Sequence, residues 1–144
     1  MDALFRARSL IVVTFIAATR SALYTFGHAR DLTFEAAEYK SGKAKQHPRY
    51  HAFRGAMLAL GASTVQAWVL LFAPVRDLNP TLWTAQCILA LGHYGGWYLP
   101  YILPASFLPG KPLRAPHWRA EINHLTAMTS NVFALILARG AYFG

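Results

Sequence analysis

Apolar residues fall into four runs separated by polar links. The first spans 9–28 and is broken only by Arg20. The second, 55–75, holds no charged residue. The third lies within an uncharged stretch from 78 to 110, and the fourth spans 122–138 with an extension to Tyr142. A helix crossing the hydrocarbon core needs about 20 apolar residues, and each run meets that length. The runs are apolar all round, where a soluble amphipathic helix would keep a polar face. The pattern predicts an all-α membrane protein, with four transmembrane helices in an antiparallel bundle over about 9–28, 55–75, 80–103 and 121–142. Residues 1–144 then form a single integral membrane domain.

The links differ in character. Residues 29–54 are polar, with Asp31, Glu35 and Glu38 followed by five cations. Within them 33–38 favours a short interfacial helix that Ser41-Gly42 would end. Only Arg76 to Asn79 turns the chain between the second and third runs. Pro80 suits the first position of a helix, and Pro100 or Pro104 would stop it. Residues 104–120 carry Pro104, Pro109, Pro112 and Pro116 and read as an extended surface loop. The segment before the first run, 1–8, is too short for a transit peptide and carries Asp2, so the first helix reads as a retained anchor.

Composition strengthens this picture. The chain has 144 residues, 55% hydrophobic and 14% charged. Soluble domains carry about 25% charged residues. The mean hydropathy is +0.27. The net charge of +8 would suggest nucleic acid in a soluble protein. Here the cations lie between apolar runs, and Lys40, Lys43, Lys45, Arg49, Lys111, Arg114 and Arg119 read as contacts for anionic lipid such as cardiolipin. With four crossings they share one face with Arg30 and Arg54, which the positive-inside rule assigns to the cytosol or the mitochondrial matrix. Arg6 and Arg8 lie opposite. The lone Cys87 excludes an internal disulfide.

Candidate chemistry is sparse. No carboxylate lies inside an apolar run, where a proton-coupled transporter would carry one. No nucleophile elbow, P-loop or dinucleotide fingerprint is present, so neither catalytic residues nor a metal site is expected and the chain does not read as an enzyme. His93 and His124 are the best pair for haem ligation, but the two differ in depth by about 6 residues, or ~9 Å, too far for one iron without a shifted or broken helix. His47 and His51 have ligand spacing without a third ligand. Arg20 is a charge deep in a crossing, which must pair, face the bundle interior or snorkel. Gln66, Gln86, Asn123 and Asn131 are placed to bond between helices, and Gly55, Gly61, Gly92, Gly95 and Gly96 to permit close approach. Trp68, Trp83, Trp97 and Trp118 read as interfacial anchors or bundle packing.

Several stretches occur together: Arg8-Ser9, Tyr39-Lys40-Ser41-Gly42-Lys43, Phe53-Arg54-Gly55, Ser63-Thr64-Val65 and Leu89-Ala90-Leu91-Gly92-His93-Tyr94. Over 34–94 this arrangement resembles the ergosterol biosynthetic protein 28 family. The resemblance implies a four-crossing, non-catalytic scaffold of the endoplasmic reticulum that tethers the enzymes of sterol C-4 demethylation. It makes Tyr39, Gly42, Arg54, Gly92, His93 and Tyr94, together with Arg20, candidates for partner contact or intramembrane polar roles. The chain departs from the family pattern in three places. Ala52-Phe53-Arg54-Gly55 scrambles the opening of the second helix, Gln66-Ala67 replaces an arginine, and Trp97 replaces a glutamate. The expected function is a scaffold or accessory subunit in a hetero-oligomeric membrane complex. The alternatives are the same fold as a structural subunit of a mitochondrial inner-membrane complex (respiratory chain or ATP synthase), and a haem-binding membrane anchor.

Overall fold

The computed structural model describes residues 2–30, 46–102 and 118–144, with side chains described for 2–27, 50, 53–94 and 122–144. These residues form four helices: α1 (Ala3–Arg30), α2 (Gln46–Phe72), α3 (Pro80–Ile102) and α4 (Trp118–Phe143), with a 3₁₀ turn at Val75–Asp77. The described residues contain no strand.

Helix ends depart from the apolar runs, because a helix need not stop where its hydrophobicity does. α1 starts well before Ser9. Asp2 caps it, its carboxylate accepting a hydrogen bond from the Leu4 N–H at 3.2 Å. α2 starts at Gln46, so 46–54 is helix rather than link. Pro48 stands in its first turn, where a missing N–H costs little. α2 ends before Pro74, and the turn that follows brings Leu78 into the core. Asn79 then caps α3: its side-chain oxygen accepts from the Leu82 N–H at 2.9 Å. Pro80 follows in the first helical position, an arrangement that fixes the start of a helix.

α1 packs most extensively on α4 and then on α2, whereas α3 rests more lightly on α4 and least on α2. The close contacts are made by alanine. Ala7, Ala18, Ala22, Ala56, Ala127, Ala134 and Ala138 are each all but inaccessible. Gly95 and Gly96 lie outside the described side chains, and Gly55, Gly61 and Gly92 do not serve this purpose: a Cβ placed at any of the three would meet nothing within 4 Å. That corrects the expectation drawn from their small size. Alanine supplies the close approach without the backbone entropy that glycine adds.

Two helices are long and apolar enough to cross a membrane, at Ala3–Gly27 and Phe53–Phe72. Only 33% of each apolar window is buried. A core helix of a soluble protein hides most of its surface, and these leave side chains such as Leu23, Leu58, Trp68 and Phe72 exposed.

Candidate functional site

Several polar side chains inside the helices meet one another, whereas the buried hydroxyls of Thr19 and Tyr142 have no partner among the described residues. Thr14 of α1 and Ser130 of α4 lie 2.8 Å apart through their hydroxyls, both buried. Two turns along α1, the Ser21 hydroxyl meets the His124 ring at 2.8 Å. On α2 the fully buried Gln66 accepts from the Asn131 amide at 2.9 Å, and its own amide donates to the Gln86 carbonyl of α3 at 3.2 Å. One glutamine thereby ties three helices together. Ser63 and Tyr94 share a further hydrogen bond of 3.2 Å between α2 and α3. An amide or hydroxyl buried without a partner costs about 1–3 kcal/mol. Placing two such groups opposite each other removes that cost and fixes the register of the helices.

The ends are tied as well. Arg8 donates from Nε to the Leu70 carbonyl at 3.0 Å, satisfying an acceptor that the last turn of α2 would leave open. Trp83 donates from Nε1 to the Leu135 carbonyl at 3.2 Å, and its ring meets Phe143 edge-on at 5.5 Å. Trp83 is therefore a bundle contact. Trp68 stays outside, with its ring 4.9 Å from Phe72.

The candidate residues separate into groups. Tyr94 is buried, bonded to Ser63 and in edge contact with the His93 ring at 4.5 Å. The 63–65 and 89–94 stretches thus meet across α2 and α3. His93 is half-buried and lies within electrostatic reach of His124. Gly92 and Arg54 are exposed. Tyr39, Gly42, Lys40, Lys43, Lys45, Lys111 and Arg114 lie outside the described residues, as does the interfacial helix expected over 33–38. Arg49 and Arg119 lie in helical backbone whose side chains are not described.

Arg20 is exposed, on the face of α1 opposite its buried positions. The hydroxyls of Thr14 and Ser21 on the same helix point into the bundle, away from Arg20. The sequence reading missed the Thr14–Ser130 and Ser21–His124 pairs. Their signal was the seven-residue spacing of Thr14 and Ser21, two turns along one face.

Between α3 and α4 a groove of about 350 Å³ opens, lined by Trp83, Cys87, Ala90, Leu91, Tyr94, Met128, Val132, Leu135 and Ile136. Its walls are almost wholly apolar, and it exists because α3 packs so lightly. Among the described residues no three of His, Cys, Asp and Glu converge on one point.

The chain matches no family model, no curated protein and no solved structure.

Proposed function

We propose that this chain is a non-catalytic integral membrane subunit whose four helices cross the bilayer as an antiparallel bundle and hold other membrane proteins together. One observation carries this reading. Most of the buried polar groups that have a known partner are spent on one another, with the Thr19 and Tyr142 hydroxyls left unpaired among the described residues, while long apolar faces and Arg20 point outward. A bundle sealed inside and featured outside is suited to making contacts. In lipid the features left for a partner are surface shape, small residues and polar groups. Exposed Gly61 and Gly92 offer a partner helix the close approach that they do not use within the chain.

The resemblance to the sterol C-4 demethylation tether gives this reading its most specific form, a scaffold of the endoplasmic reticulum. The cationic residues 40–49 and 111–119 would rest on anionic headgroups. The test is gentle solubilisation of native membranes, recovery of the tagged protein and mass spectrometry of its companions. Sterol oxidase, dehydrogenase and reductase subunits are the expected result. Respiratory-chain or ATP-synthase subunits would make it an accessory subunit of the mitochondrial inner membrane. Turnover of a substrate by the isolated chain would overturn the proposal.

A further inference from the structure

Residues 6, 9, 13, 16, 20, 23 and 27 of α1 alternate steps of three and four, and all are exposed. That spacing traces the seam along which two helices pack at a shallow crossing angle. Val13, Ile16 and Leu23 on it are 43%, 55% and 62% exposed. In their midst stands Arg20, which has no ion pair or hydrogen-bond partner among the described residues.

In a bundle that crosses the bilayer as proposed, Arg20 is also too deep to reach water. Arg8 bonds the last turn of α2, beside the 3₁₀ turn, so in the proposed crossing one membrane boundary falls near Arg8. At 1.5 Å per residue Arg20 lies about 18 Å inward from there. With a hydrocarbon core of ~30 Å, about 12 Å remains to the far boundary. Helical side chains lean toward the N-terminus, so this guanidinium leans toward the bilayer centre and away from the nearer headgroups. Snorkelling, the usual relief for a charge near a helix end, works against that direction. A lipid-facing charge at this depth needs a counter-charge. Arg20, Leu23 and Tyr24 border a recess of about 270 Å³, with room for a short acidic side chain.

We propose that this face of α1 binds the transmembrane helix of a different protein, one carrying an aspartate or glutamate at the depth of Arg20. A second copy of this chain does not fit. Its six acidic residues lie outside the apolar runs. Since Ser21 meets His124, the nearest of them, Glu121, sits about one helical turn closer to the boundary. The inference rests on the scaffold reading and names the chemistry of one partner.

The test places a photo-crosslinking residue at Leu23, and a control at Val132 on the outside of α4, in full-length protein in its native membranes. The expected result is one adduct from position 23, absent from 132, with a protein whose membrane segment carries a carboxylate. Arg20→Leu lowers the adduct about tenfold or more and Arg20→Lys keeps most of it. Arg20→Glu recovers it only with the reciprocal change of the partner's acid to arginine. The variants are compared at equal thermal stability in detergent, so that misfolding is not read as lost contact. An adduct with lipid alone, an adduct with a second copy that Glu121→Gln abolishes, or an adduct indifferent to Arg20→Leu overturns the inference. In those cases an intact set of co-purifying proteins leaves the scaffold reading standing. A wild-type protein that co-purifies with nothing overturns both.

Discussion

Gln66 shows most directly what a single residue does in this molecule. It is buried, accepts from Asn131 and donates to the Gln86 carbonyl. Gln66→Leu should cost about 1–2 kcal/mol, because it strands the Asn131 amide. Asn131→Leu should cost a similar amount, and the double variant less than the sum by about 1 kcal/mol. Unfolding titrations of the four proteins in mixed detergent would check this, and strictly additive losses would show that the two amides do not work as a pair. The amides could be picked out of the sequence, since a polar side chain in an apolar run stands apart. Their partners could not be assigned in the same way. Hydrophobicity separates inside from outside only in water, and here Ile16 and Leu23 on the outside are as apolar as Ile11 and Leu70 within. The same reason hid the outward position of Arg20 and the idle glycines.

Among the elements, α3 is the one held most lightly. Its attachment depends on the Asn79 cap, the Trp83–Leu135 bond and the contacts of Gln66 and Tyr94. Asn79→Ala should remove about 1 kcal/mol of stability, while Asn79→Asp, which keeps an acceptor at the cap, should remove far less. Equal losses in the two variants would mean that the side-chain amide, which donates to the Asp77 carbonyl at 3.2 Å, is what matters. The start of α3 could be read from Asn79-Pro80 because capping is local chemistry written in adjacent residues. The start of α2 could not. Residues 46–54 are polar enough to belong to water, and hydropathy marks the stretch that suits lipid rather than the stretch that is helical.

For the molecule as a whole, the proposed four-crossing arrangement predicts which segments share a side of the membrane. Single cysteines in a Cys87→Ala background, placed at Asp77 and Gly144, should react with an impermeant maleimide from one side. Cysteines at Lys43 and Lys111 should react only from the other. Labelling of Asp77 and Lys111 from the same side would require a different number of crossings.

The pairing of the first helix with the last has a further consequence, for how the protein is made. α1 leaves the ribosome early, yet its largest contact surface is α4, at the other end of the sequence. Until α4 is synthesised, Thr14 and Ser21 have lost their partners Ser130 and His124. During that interval the nascent chain must wait in the membrane with its alanine face open. A messenger truncated before Trp118 would therefore yield a chain that inserts but cannot close, which is the form of protein that membrane quality control removes.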